Sequence, residues 1–182
     1  MTDLTTLANV KAWLGDSTST NDALYNRLIT SASDFIRNYT GRDLDQRTYT
    51  NIVHDGHNGY RMMFREYPVT AVSSVQVDNV PIPLSTNLSS GYVFDDTFLS
   101  LINYRFNRGV ANVKMSYTAG YATIPGDLEQ ACIELVANRF KDKSKIGVAS
   151  KSMAGETIVF FNKDMPETVK AALSDYRRIA LS

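Results

Sequence analysis

The chain has 182 residues, 43% of them hydrophobic, so it can bury roughly 70% of its unfolded surface without needing a disulfide or a metal ion for stability. Its 19 basic residues balance its 19 acidic residues, which excludes a protein drawn to nucleic acid or anionic lipid by a global positive field. A single cysteine, Cys132, excludes a disulfide scaffold and favours a reducing compartment.

The N-terminal segment MTDLTTLANV lacks the basic start and the continuous apolar run of a signal peptide. No later segment approaches the length of apolar sequence that spans a bilayer. We therefore expect a protein that is made in the cytoplasm and has no membrane contact.

Two helices are predicted near the N-terminus. Thr5 or Thr6 can cap a short first helix, and Gly15 supplies the left-handed position that ends it. After a polar, turn-forming stretch, apolar residues recur at helical spacing over residues 24–39, and Gly41 follows as the stop signal. The second helix is therefore predicted to be long and amphipathic.

Residues 47–117 are predicted to form a β insertion, because turn-forming pairs such as Asp55-Gly56 and Asp78-Asn79 recur every few positions. Short runs rich in aromatic and β-branched residues lie between these turns, at 48–53, 60–64, 69–77, 92–94, 98–101 and 110–117. This punctuation is typical of a small antiparallel sandwich or open barrel.

Residues 112–140 join the last of these strands to a central helix. Val113, Met115 and Tyr117 alternate with polar residues, as on a half-buried strand. Beyond Gly120 and Pro125-Gly126 the apolar period changes to that of a helix, at Leu128, Ala131, Cys132, Leu135, Val136 and Phe140. The helix is predicted from Asp127 to near Lys143, with Cys132 on its buried face.

A last helix is predicted after Pro166, which suits the first turn of a helix. It would present Val169, Leu173, Tyr176 and Ala180 on one face. Glu167 falls in its first predicted turn, and Arg177 and Arg178 fall in its last, which matches the sign of the helix dipole.

Residues 141–164 connect these two helices and are predicted to be a mobile arm made of a loop and one strand. The first half is basic and rich in Ser, Gly and Ala, with Lys141, Lys143, Lys145 and Lys151. Residues 157–161 read as an isolated strand with no partner adjacent in sequence. Since a lone strand is not stable, it must pair with the chain's own sheet or with the edge of another chain.

Two alternatives to a structural role rest on particular residues. His54 and His57, with Asp55, can be drawn as the metal site of a small hydrolase, but turn-forming Asp-Gly and Asn-Gly pairs already explain HDGHNG, and third and fourth ligands are not evident. The lysines between 141 and 151 could instead serve a DNA-binding accessory module. No nucleophile elbow or Gly-rich phosphate loop occurs.

Five stretches carry a family resemblance in combination, in the order LANVKAWLG, DALYNRLITSASDFIRNYTGRDL, YPVTAVSSVQVDNVPI, YTAGYATIPGDLEQACIELVANRF and MPETVKAALSDYRRIA. Together they span most of the chain. In this order the chain resembles the head-tail connector, or adaptor, family of tailed bacteriophages and related gene-transfer particles.

The resemblance implies a structural virion protein of the neck, with no catalytic activity and no cofactor. Such proteins form a ring, usually of twelve subunits, that binds the portal of a DNA-filled head and extends the DNA channel toward the stopper and tail. DNA passes through the lumen without sequence-specific binding, and a neutral chain suits that passage.

The family uses its C-terminal segment and the preceding loop to engage the portal and neighbouring subunits. Carried onto this sequence, that use implies an interface at Lys141, Lys143, Lys145, Lys151, Thr157, Ile158, Val159, Phe160, Phe161, Tyr176, Arg177 and Arg178. The shortest relatives are nearly all helical, so the β insertion at 47–117 is a departure, and details of the ring's outer surface do not carry over. The expected architecture is a single α+β adaptor domain over 1–182, a helical frame with the insertion at 47–117 and the mobile arm at 141–164.

Overall fold

The computed structural model describes residues 2–143, 150–153, 156–159 and 165–178. In these residues the helices are α1 (Leu7–Leu14), α2 (Asp22–Thr40), α3 (Gly126–Asp142) and α4 (Glu167–Ser174). The strands are β1 (Arg47–Gly56), β2 (Arg61–Met63), β3 (Val69–Val77), β4 (Val80–Pro81), β5 (Gly91–Phe94), β6 (Phe98–Ile102), β7 (Gly109–Ala119), β8 (Ser150–Met153) and β9 (Glu156–Val159). The predicted α+β class is confirmed.

The chain divides into two units, one made of Met1–Arg42 with Ile124–Ser182 and the other of Asp43–Thr123. The first is called the helical unit below, and the second the β unit. No helix in the described ranges is both long enough and apolar enough to cross a membrane.

The helical unit is built around α3, which α1, α2 and α4 all contact. The caps follow the sequence signals: the Thr6 hydroxyl accepts a hydrogen bond from the Asn9 amide at 3.3 Å, and Gly15 and Gly41 end α1 and α2 with φ of 68° each. The core contains one or more residues from every helix, and these include Val10, Ile29, Ile36, Leu128, Leu135, Val136 and Leu173. The predicted helices are confirmed as amphipathic elements that share one core.

Cys132 lies inside this core, as predicted. Its side chain is fully buried and its sulfur lies 3.7 Å from the Ser33 hydroxyl on α2. Burial raises the pKa of the Cys132 thiol to about 11, because the thiolate would lose its hydration. The thiol therefore stays protonated near neutral pH and packs as a small apolar group.

The C-terminal helix is shorter than the sequence predicts. It ends at Ser174, so no basic residue lies in its last turn, and the prediction that Arg177 and Arg178 complement its dipole is wrong. The Arg178 amide donates instead to the carbonyl of Thr40, at the end of α2, at 2.8 Å. The Arg178 amide is thus bonded to another helix and not within a continuing α4. Ala180, which was predicted to lie on the apolar face of this helix, is outside the described residues.

The β unit contains two antiparallel sheets, one with the strand order β1-β7-β3-β4 and the other with β2-β6-β5. Their apolar faces share one core, in which the rings of Phe64 and Tyr117 lie 4.8 Å apart. Val113, Met115 and Tyr117 are each at most 1% exposed, which confirms the alternation predicted for β7. The six predicted runs overlap β1, β2, β3, β5, β6 and β7. The short strand β4 was not predicted, because two residues ending in proline give no periodic signal.

The arm between α3 and α4 differs from the prediction of a lone strand. β9 pairs in antiparallel register with β8, from Ser150 opposite Val159 to Met153 opposite Glu156. Only Ala154 and Gly155 separate the two strands in sequence, and a two-residue link with glycine favours a hairpin. The prediction that the strand lacks a sequence-adjacent partner is therefore wrong.

Candidate assembly interface

The predicted basic residues of the arm do not lie on one element. Lys141 is in the last turn of α3, and Lys143 follows the helix with its ammonium 5.9 Å from the centre of the Phe140 ring. Lys151 lies in β8, opposite Ile158. Lys145 falls outside the described residues. The structure thus places two of these lysines at the C-terminal end of α3, where the helix dipole favours positive charge.

The predicted strand residues form one side of the β8–β9 hairpin. Thr157 is opposite Ser152, and Ile158 and Val159 follow it along β9. Phe160 and Phe161 lie outside the described residues. Within the described part of the chain, β8 and β9 pair only with each other. A two-stranded hairpin is marginally stable by itself in water, so packing against a further surface would stabilise it.

Tyr176 is anchored within the helical unit. Its hydroxyl lies 2.8 Å and 2.7 Å from the two carboxylate oxygens of Asp127, in the first turn of α3. Its carbonyl accepts a hydrogen bond from the Arg42 guanidinium at 3.2 Å. Sequence reasoning missed Asp127 as a partner, because the two residues are 49 positions apart and an acidic residue in a first helical turn is already explained by the dipole.

Arg177 and Arg178 follow directly and lie beside the end of α2. Both side chains are exposed. The Arg177 guanidinium lies 5.4 Å from the centre of the Tyr39 ring, and the Arg178 backbone is held by Thr40. The Tyr176 bonds therefore fix a segment that presents two adjacent cations at the surface of the helical unit.

The histidines of the hydrolase alternative lie in and next to β1. His54 is partly buried opposite Val113, and burial lowers its pKa, which keeps the imidazole neutral near pH 7. The ring of His57 stacks on Phe106 with 6.1 Å between centroids. The described residues contain no group of three or more His, Cys, Asp or Glu side chains placed to hold a metal ion.

Comparisons with known proteins place this geometry in a family. A family model described as head completion protein matches residues 3–179. Comparison with curated proteins gives no match. The resemblance seen in the sequence is thus confirmed by a match over almost the entire chain, to a family of structural virion proteins and not of enzymes.

Solved structures with a similar fold come from gene transfer agent (GTA) particles. A chain in the neck of an empty GTA particle, computed with C6 symmetry, is 19% identical with a TM-score of 0.59. A chain in the neck of a native GTA particle, computed with C12 symmetry, is 18% identical with a TM-score of 0.59. A chain in the virion of the native particle is 19% identical with a TM-score of 0.58. Each comparison covers 97% of this chain and 90% of the other.

At these identities the solved structures establish a shared fold, and the family assignment rests on the family model. That model spans both units, from the residues before α1 to those just after α4. The chain therefore belongs to the head completion protein family.

Proposed function

We propose that this protein is a ring-forming adaptor in the virion neck, which binds the portal of a DNA-filled head and extends the DNA channel toward the stopper and tail. The observation that carries the proposal is the fold likeness, over 97% of the chain, to chains in particle necks computed with C12 and C6 symmetry. Such symmetry is that of a closed ring, and we propose twelve subunits here.

A ring of identical subunits uses head-to-tail contacts, in which one surface of each subunit meets a different surface of the next. The β8–β9 hairpin suits such a contact, because a two-stranded element that is marginal alone is stabilised by packing on a neighbour. In this proposal the arm's interface comprises Lys141, Lys143, Lys145, Lys151, Thr157, Ile158, Val159, Phe160 and Phe161.

The segment 176–178 supplies the proposed contact with the portal. Arg177 and Arg178 are adjacent exposed cations, and an acidic surface on the portal would complement them. Tyr176 has a positioning role, since its bonds to Asp127 hold the segment against the helical unit. A backbone fixed in this way loses less conformational entropy on docking.

The formal net charge of zero supports passage of DNA through the ring. A strongly basic lumen would release counterions from the duplex and hold it, whereas a neutral wall lets it slide. The proposed channel therefore needs no sequence-specific or tight contact with DNA.

The proposal is tested with particles assembled without this protein. We expect heads that are filled with DNA but carry no tails, because the portal has no adaptor to receive the stopper. Adding the purified chain to these heads, followed by tails, should restore tailed particles in electron micrographs. Normal tail attachment in the absence of the protein would contradict the proposal.

A further inference from the structure

A groove of about 720 Å³ lies on the β unit, whereas the residues assigned above to assembly belong to the helical unit. Its floor includes Val77 and Ile82, which are 4% and 6% exposed and belong to the core shared by the two sheets. Its volume lies within the range of small-ligand sites, roughly 300–1,000 Å³. The groove therefore has a rigid apolar base and the size of a binding site.

An aromatic side chain stands at the wall of this groove. Tyr60 is 50% exposed, although it directly precedes β2. The guanidinium of Arg105, also in the wall, lies 4.2 Å from the centre of the Tyr60 ring and restrains it. Tyr104 adds a second, partly buried ring that packs on the core. A tyrosine that is held in place yet half open to solvent offers a ready stacking surface.

A charged hydrogen-bond acceptor comes from the turn between β3 and β4. Asp78 sits there with a φ of 53°, and its two carboxylate oxygens accept hydrogen bonds from the side-chain amides of Asn107 at 2.7 Å and Asn112 at 2.9 Å. These bonds hold the carboxylate in one orientation and lower the pKa of Asp78. Each oxygen keeps a further lone pair, so the group remains an oriented acceptor for a ligand hydroxyl.

This combination selects among ligand classes. Asp78 and Arg105 bring opposite charges to one groove, which favours a ligand without net charge. The exposed amides of Asn103 and Asn107 add hydrogen-bond donors and acceptors to the rim of the groove. An apolar peptide side chain could not form hydrogen bonds with these groups, so it is a poor ligand for the groove. A neutral sugar has both an apolar ring face for an aromatic residue and a row of hydroxyl groups for oriented polar residues.

We infer that this groove binds a neutral oligosaccharide, with Tyr60 as the stacking residue and Asp78 as the principal acceptor of sugar hydroxyl groups. Arg105 and Asn107 position these two side chains through the contacts described above. The assignment gives the β unit a binding activity that is separate from head completion.

The test is binding of the full-length protein to an array of immobilised oligosaccharides, made of neutral hexose polymers, N-acetylhexosamine oligomers and uronic acid polymers. We expect tighter binding to at least one neutral class than to the uronic acids, because Asp78 would repel a uronate carboxylate that took the place of a hydroxyl group bonded to it. Replacing Tyr60→Ala should weaken that binding by about two- to tenfold, the range of one aromatic stacking contact. Asp78→Asn should weaken it similarly, and asparagine also tolerates the left-handed turn.

The matched control is Phe94→Ala, which removes an exposed aromatic side chain of the same unit from outside the groove and should leave binding unchanged. Thermal melting of each variant shows that the fold is retained. Three outcomes would overturn the inference: no neutral class binds, Tyr60→Ala binds as the parent does, or a proline-rich peptide occupies the groove in preference to every sugar. None of these outcomes bears on tail attachment.

Discussion

Reversing both charges in the variant Arg177→Glu/Arg178→Glu is expected to leave DNA-filled heads without tails. The two side chains are exposed, and their proposed partner is an acidic surface of the portal, so two glutamates would repel it. The cost to the protomer should be small, about 1 kcal/mol, because a substitution at an exposed position usually changes stability by no more than about 0.5 kcal/mol. The contact between the Arg177 guanidinium and the Tyr39 ring is part of what is lost. Tailed particles are counted by microscopy after the variant is added to heads assembled without the protein.

The control for this experiment is Lys170→Glu, a single reversal at an exposed position of α4 that lies outside the proposed contact. It should support normal tail attachment. The melting temperature of the double variant should fall by no more than about 4 °C, as expected for a loss near 1 kcal/mol in a chain of this size. Normal melting together with normal tailed particles would rule out the docking role of these arginines.

The largest loss of stability is expected from Tyr117→Ala. Tyr117 is 1% exposed, and its ring packs between Phe64 at 4.8 Å and Tyr49 at 5.4 Å. Removing a buried aromatic ring leaves a cavity and typically costs about 3–5 kcal/mol. Urea denaturation should therefore show a large reduction in the free energy of unfolding of the β unit.

Two further variants show which part of the Tyr117 effect comes from the buried ring. One removes only the hydroxyl group of Tyr117, and the other removes the ring of an exposed tyrosine. Tyr117→Phe keeps the ring but removes the hydroxyl, which accepts a hydrogen bond from the Glu66 amide at 3.3 Å, and should cost about 1–3 kcal/mol. Tyr60→Ala removes a tyrosine that is 50% exposed, and should cost about 1 kcal/mol or less. Equal destabilisation by Tyr60→Ala and Tyr117→Ala would show that the shared core does not hold the two sheets together.

Hydrophobic periodicity predicted the helices and strands whose buried faces are formed by residues close together in sequence. The stripe on α2, the alternation at Val113, Met115 and Tyr117, and the change of period before α3 all appear in the structure, because each buries one continuous face. The short strand β4 and the early end of α4 were not predictable in this way. β4 has only two residues. α4 ends at Ser174, and the chain beyond it is held by the bond from the Arg178 amide to Thr40, a contact between distant parts of the sequence.

The contacts that hold the candidate interface in place could be predicted only in part, because they join residues that are far apart in sequence. The sequence singled out Tyr176, Arg177 and Arg178, but the bond from Tyr176 to Asp127 spans 49 positions and leaves no periodic pattern. The hairpin was missed because the polar run before β9 resembles a loop, although Ala154-Gly155 is a two-residue link that favours strand pairing. The groove on the β unit likewise joins Tyr60, Asp78 and Arg105 from three separate segments of the chain.

The ring-forming role in the neck is tested most directly by electron cryo-microscopy of the particle neck, with this protein located by fitting its two units into the density. We predict a closed ring of twelve copies between the portal and the stopper, with residues 176–178 facing the portal and the β8–β9 hairpin in contact with the adjacent subunit. Density for this chain elsewhere in the virion, or single copies that do not close a ring around the DNA, would contradict it.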